Sequence, residues 1–123
     1  MCIRDRGVSV FMDEPSLMRL IDNTLSNAIK YSRPGGKIII ALEIGVSIAV
    51  FSVQDFGIGI KDTSAIWERY SRENAALGGF GLGLNIIDKI CKRYGIAKSV
   101  SSKPNEGSTF CYKIPLFKQK LLD

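Results

Sequence analysis

The sequence contains no histidine. That removes the commonest general base and the commonest metal ligand, and with them any imidazole that could itself carry a phosphoryl group. Cysteine is scarce. Cys2, Cys91 and Cys111 have no metal-ligand spacing, and an odd count without a signal peptide reads as reduced thiols in a cytoplasmic setting. Cys91 and Cys111 are expected to serve as small core hydrophobes. No apolar run approaches the about 20 residues that a membrane span needs. There is no internal repeat, no low-complexity tract and no P-loop ending in G-K-[ST]. The opening MCIRDR lacks periodicity and turn logic, so residues 1–7 are read as a non-native or disordered leader and left out of the fold.

What is present is ordinary in bulk. The 123 residues, 46% hydrophobic and 24% charged, fit one domain able to fold alone. A net charge of +5 favours an anionic ligand or partner, such as a nucleotide, a phosphoprotein or nucleic acid. The cations are scattered rather than clustered, which argues against a nucleic-acid footprint.

Along the chain, VSVFM (8–12) alternates like a short strand. DEPS then offers Asp13 or Ser16 as a cap and Pro15 for a first turn, so a helix is predicted up to about Ser32, where RPGGK stops it. KIIIALEI and VSIAVFSVQ form a predicted hairpin hinged near Gly45, burying alternate residues. TSAIWERYSR reads as a short helical segment capped by Thr63 or Ser64, and ENAALGGFG as a loop. In LGLNIIDKICKRYG, Leu84, Ile87, Ile90, Cys91 and Tyr94 share a helical face that Gly95 ends. AKSVSS and STFCYKIPL are two further strands joined by KPNEG, and residues 118–123 form a frayed tail. Hairpins mixed with two good helices predict an α+β fold: a mostly antiparallel sheet with helices on one face.

Three stretches go beyond packing. In LIDNTLSNAIKYS, Asn23, Asn27 and Lys30 fall within about 60° of one another around the helix at ~100° per residue. Leu17, Ile21, Leu25, Ala28 and Ile29 are expected on the opposite, packed side. The polar stripe is either a solvated face or a site for a hard cation and a phosphate, since amide oxygens suit the first and an ammonium the second. DFGIGI sets Asp55 at a strand end before Gly57 and Gly59. Plain turns match that pattern too, but a carboxylate fixed there can accept from an exocyclic amine. GGFGLGL places Gly78, Gly79, Gly81 and Gly83 at a helix start, which is either a loose loop or an anion site made of backbone amides.

The order of NTLSNAIKYS, DFGIGI, IWERYSR, GGFGLGL and EGSTF resembles the ATP-binding catalytic domain of sensor histidine kinases. That domain belongs to a larger family with type II topoisomerases, mismatch-repair ATPases and large heat-shock chaperones. The resemblance covers about residues 8–117, leaving 118–123 as the tail. It implies the Bergerat-type ATP-binding fold, a two-layer α/β sandwich whose mixed, mostly antiparallel sheet is covered on one face by helices, with Mg2+ held by Asn27 and supported by Asn23, and Lys30 reaching phosphate oxygens. It places Tyr31 along the adenine and Asp55 as acceptor for the adenine amino group. Gly57, Gly59, Ile60 and Thr109 surround the base, with Gly59 permitting close approach. Arg69 and Arg72 face the phosphates from the lid side, while Gly79, Gly81, Leu82, Gly83 and Leu84 let the lid fold over the triphosphate and start the next helix. Asn23, Lys30 and Arg72 are the catalytic candidates.

ATP-hydrolysing members carry a Glu four residues before the metal-binding Asn. Here that position is Asn23, so water lacks a base, which suits a kinase that keeps its γ-phosphoryl for a histidine. Two departures are visible. Trp67 and Tyr70 stand where the family usually has Phe, and RYGIA replaces the usual His-Gly-Gly stretch. The acceptor histidine is expected on a separate helical dimerisation and phosphotransfer domain of the same or another kinase chain, with a response-regulator receiver domain downstream. Neither nucleic acid nor direct membrane contact is expected. The lid, Glu73–Phe80, is expected to be disordered without nucleotide, since Gly and Ala supply few contacts. A second reading is a stand-alone regulatory ATP-binding module of the anti-sigma-factor type, acting through protein contacts or serine phosphorylation; such proteins usually retain the Glu that Asn23 replaces. A third, a basic nucleic-acid-binding domain, leaves the five boxes unexplained.

Overall fold

The architecture is that of a computed structural model, which describes residues 8–10, 12–61, 63, 66–67 and 81–118. The helical segment predicted around Ile66 and Trp67 lies mostly outside these residues, as does the whole of the lid.

The first helix, α1 (Glu14–Tyr31), begins where the cap chemistry places it. Asp13 is the N-cap, and its carboxylate accepts from the Ser16 amide at 2.9 Å and the Ser16 hydroxyl at 2.8 Å. Ser32 closes the helix, its amide bonded to the Ala28 carbonyl at 3.0 Å. The hairpin follows as β2 (Ile38–Ile44) and β3 (Ile48–Asp55), with the Gly45 amide bonded to the Ile48 carbonyl across the turn. Next come α2 (Gly81–Tyr94), β4 (Ala97–Lys103) and β5 (Gly107–Pro115). The four strands lie in the order β2-β3-β5-β4, and every pairing is antiparallel. A second, two-stranded ribbon joins β1 (Val8–Ser9) to β6 (Phe117–Lys118), so the predicted first strand is shorter than VSVFM and Lys118 belongs to the domain rather than to the tail.

The helices cover one face of the sheet. Phe51, Val53 and Asp55 of β3 and Ser108, Phe110, Tyr112 and Ile114 of β5 point into it, while Ser52, Gln54, Thr109 and Cys111 alternate to the other face. The α2 face is the predicted one: Leu84, Ile87, Ile90 and Cys91 are buried and Tyr94 is partly so. Burial pushes the Cys91 thiol up to about 11. Cys111 is half-buried on the outer face, so only one of the two expected core thiols is in the core.

On α1 the buried stripe is rotated from the expected one. Its centre is Leu17, Leu20, Thr24 and Ala28, and Ile29 is 65% exposed. A threonine can sit there because its hydroxyl donates to the Leu20 carbonyl at 2.7 Å and meets the Tyr112 hydroxyl at 2.9 Å. Tyr112 is wholly buried and stacks on Phe51. Since α1 lies over β3, the inner-face residues Ile40, Leu42 and Ile44 of β2 stay exposed along the sheet edge. Replacing Tyr112 by Phe removes the cross-layer bond but leaves Thr24 bonded to Leu20. A stability loss of about 1 kcal/mol is expected in urea denaturation; a loss several times larger would mean that the hydroxyl organises the core.

Candidate functional site

The C-terminal end of α1, the end of β3 and the β4–β5 turn meet at one corner. Asp55 ends β3 with its side chain turned inward, 5% exposed. The segment after it threads between two other backbones. The Ile58 amide donates to the Tyr31 carbonyl at 3.2 Å, and the Ile58 carbonyl accepts from the Asn105 amide at 2.7 Å. Arg33 donates to the Asn105 carbonyl at 2.8 Å, closing the clamp. Asn105 itself adopts a left-handed φ of 66°, which asparagine tolerates.

The Asp55 carboxylate accepts the Gly57 amide at 2.9 Å and the Ser108 amide. Burial raises its pKa above the ordinary carboxylate range, against the pull of those two amides. Asn27, Tyr31, Gly59, Ile60, Ser108 and Phe110 line the cleft around it. The Nδ2 atom of Asn27 is buried there without a hydrogen-bond partner. A half-turn of the amide exchanges Nδ2 with Oδ1, so the same place can present an oxygen to a cation. Lys30 lies 5.4 Å from the Tyr31 ring centroid, and burial raises the Tyr31 pKa. Asn23 is half-buried one turn earlier. Trp67 stands edge-on to Phe110, with the Lys98 ammonium 5.1 Å from its ring centroid.

Of the sequence-predicted residues, Asn27, Tyr31, Asp55, Gly59 and Ile60 come together in the cleft, and Gly57 holds the carboxylate beside it. Gly81, Leu82 and Gly83 form the first turn of α2, and Leu84 is buried in the core beneath it. Thr109 is not brought to the cleft. It pairs with Gln54 and points to the opposite face of the sheet, while its neighbour Ser108, 6% exposed, faces Asp55. Strand parity carries that signal: Phe110 and Tyr112 are the apolar inner residues of β5, so Ser108 must share their side. Gly59 has a φ of 71°, and the atom its Cβ would meet is the Lys103 carbonyl oxygen at 2.0 Å, a piece of the protein's own backbone. Arg69, Arg72 and Gly79 lie outside the described residues. Among the described residues no group of three or more His, Cys, Asp or Glu side chains could cage a metal.

The corner thus holds a buried acceptor on a strand end, beside an amide-bearing helix and two glycines, in a helix-covered antiparallel sheet. The chain belongs to the family described as histidine kinase-, DNA gyrase B- and HSP90-like ATPases, whose model matches residues 12–118. Within it, the chain has the character of the ATP-binding catalytic domain of sensor histidine kinases. The sensor histidine kinase RppB of Synechocystis sp. (strain ATCC 27184 / PCC 6803 / Kazusa) is 37% identical over 111 residues, covering 85% of this chain and 24% of the relative. The sensor histidine kinase WalK of Bacillus subtilis (strain 168) is 33% identical, covering 90% of this chain and 20% of the relative. The chain thus spans less than a third of the length of these curated relatives. Among solved structures, the mycobacterial sensor histidine kinase MprB superposes with a TM-score of 0.78 at 29% identity, over 91% of this chain and 78% of that one. Full-length ShkA in complex with AMPPNP does so at 0.74 and 25%, over 89% of this chain and 23% of that one. No helix among the described residues is long and apolar enough to cross a membrane.

Proposed function

We propose that the chain binds Mg-ATP in the Asp55 cleft and donates the γ-phosphoryl to a histidine on a separate helical dimerisation and phosphotransfer domain, of the same or another kinase chain. A response-regulator receiver domain follows in the relay, and the domain works in the cytoplasm. The observation that carries this reading is the buried, acceptor-only Asp55 facing Asn27 and Ser108. A carboxylate in that position accepts from the adenine amino group. Tyr31 and Ile60 flank the ring, and Lys30 reaches phosphate oxygens beyond the open end of the stripe. Arg69, Arg72 and the glycines of the lid are assigned to the phosphates.

The orphaned Asn27 amide fits a hard cation, and Asn23 supports the same position. A bound Mg2+ supplies charge neutralisation on the phosphates as the phosphoryl group departs. Asn23 takes no proton from water, which favours transfer over hydrolysis.

Calorimetric titration with a non-hydrolysable ATP analogue, with and without Mg2+, tests this. The wild-type chain should bind more tightly with Mg2+, and Asn27→Ala should lower the Mg2+-supported affinity about tenfold, to the metal-free level. A folded wild-type chain that binds no analogue, or an Asn27→Ala variant that keeps the full Mg2+ effect, would remove the basis for the assignment.

A further inference from the structure

Ser102 of β4 lies outside every motif that suggested the nucleotide site, yet its hydroxyl is tied to two walls of the cleft. Its Oγ accepts the Ile60 amide at 2.6 Å, donates to the Gly107 carbonyl at 2.9 Å, and lies 2.8 Å from the Ser108 Oγ. A hydroxyl has one proton and two lone pairs. The Ser102 proton goes to the Gly107 carbonyl and one lone pair takes the Ile60 amide. What remains toward Ser108 is a lone pair, so Ser108 donates to Ser102.

That assignment fixes what Ser108 shows a ligand. With its proton turned toward Ser102, it offers the cleft only lone pairs. Asp55, the other polar group on that wall, also offers only lone pairs when ionised. An all-acceptor wall suits a purine whose 6-position bears an amino group and opposes one bearing a carbonyl oxygen there.

We infer that Ser102 is a specificity-determining residue for the base: by holding the Ser108 proton away from the cleft, it makes the site select 6-aminopurine over 6-oxopurine nucleotides. Ser102 touches no substrate and acts through Ser108, so it is a positioning residue. The inference rests on the nucleotide reading above and adds to it a source of base selectivity. Freed of Ser102, the Ser108 hydroxyl can rotate and donate to a 6-oxo group.

The test compares ADP with IDP, which differ at the 6-position but not by a 2-amino group. Dissociation constants are measured for the wild type, Ser102→Thr, Ser102→Ala, and Ser102→Ala combined with Ser108→Ala. The wild type and Ser102→Thr should favour ADP alike. Ser102→Ala should narrow the ADP/IDP ratio about tenfold, and the double variant, with no hydroxyl left to donate, should restore it. A purely structural role predicts equal weakening of both nucleotides. That result, or an unchanged ratio in Ser102→Ala, overturns the inference while leaving ATP binding intact. A wild-type chain that binds neither nucleotide overturns the nucleotide reading and this inference together.

Discussion

Asp55→Asn is expected to lower affinity for ATP analogues at least about a hundredfold while leaving the domain as stable as the wild type at pH 7, or more so. The loss of binding follows from the lone pairs. In the wild type both carboxylate oxygens are acceptors, already steered by the Gly57 and Ser108 amides. An amide has one acceptor and one donor. Turned so that its oxygen keeps the backbone amides, its NH2 meets the amino group of the base, and it is the complex rather than the free domain that holds an unpaired donor.

Stability moves the other way because the Asp55 charge is held in a dry place. Its folded pKa lies above the ordinary carboxylate value, and burial is the cause. A carboxyl of that kind is protonated more readily in the folded chain than in the unfolded one. Acidification from neutral pH through the raised pKa therefore stabilises the fold, and the gain is complete below the unfolded value. Over the same interval nucleotide affinity falls, because protonated Asp55 presents a donor to the adenine amine. Asp55→Asn should show neither trend. The other shifted carboxylates act at lower pH. The Tyr94 hydroxyl and the Ser16 contacts hold Asp13 down to about 2. Burial pushes Asp88 up, but Lys98 at 2.6 Å and Lys92 at 2.9 Å outweigh it and keep its pKa below the ordinary value. Their contributions are lost only in more acidic solution. Denaturation midpoints and analogue affinities measured from pH 7.5 downward separate the two windows. Wild-type stability that falls from the first step of acidification would show that Asp55 is not the group in question.

The parts of the fold that were legible in the sequence are those with local causes. Asp13, Pro15 and Ser32 mark the ends of α1, and the spacing of Leu84, Ile87, Ile90 and Cys91 marks the buried face of α2. The core orientation of α1 was less accessible, because Thr24 looks polar until Tyr112, 88 residues later, supplies its partner. The β1–β6 ribbon is two residues long on each side and joins the two ends of the domain, leaving no periodicity to read. At the site, Asn27 and Asp55 stood out because their residue types are unusual in those contexts. Ser108 was hidden by Thr109, a second hydroxyl one position away, and only the parity of Phe110 and Tyr112 separates the two. Arg33 and Asn105 act through backbone groups, and Ser102 through backbone groups and the Ser108 hydroxyl, which no side-chain motif encodes. Gly57 and Gly59 were legible as glycines, but not for the protein backbone that their missing side chains admit.

That reason places Gly59→Ala among the most damaging small substitutions expected at the described residues. Gly59 sits at a φ of 71°, and its added methyl would lie 2.0 Å from the Lys103 carbonyl oxygen and 2.7 Å from its carbon. Backbone cannot swing aside as a flexible side chain can, so the loop or the end of β4 must shift. Such a shift breaks the Ile60 amide bond to Ser102 and the Asn105 amide bond to the Ile58 carbonyl. Conformational strain and overpacking together cost roughly 3 kcal/mol or more, a large share of the ~5–15 kcal/mol that holds a domain folded. Gly95→Ala separates the two costs. Gly95 has a similar φ of 67° with nothing within 4 Å of the added methyl, so it carries the strain alone, at about 1 kcal/mol. Gly57 has the reverse character: its φ is not left-handed, but its methyl would meet the Tyr31 carbonyl oxygen at 1.8 Å. Urea denaturation of the three variants should rank Gly59→Ala and Gly57→Ala well below Gly95→Ala, and only the first two should lose analogue binding. If Gly59→Ala matched Gly95→Ala in stability and still bound nucleotide, the loop would have room to move. The clamp between α1 and the β4–β5 turn could then not be what holds Asp55 and Ile60 in register with Ser108.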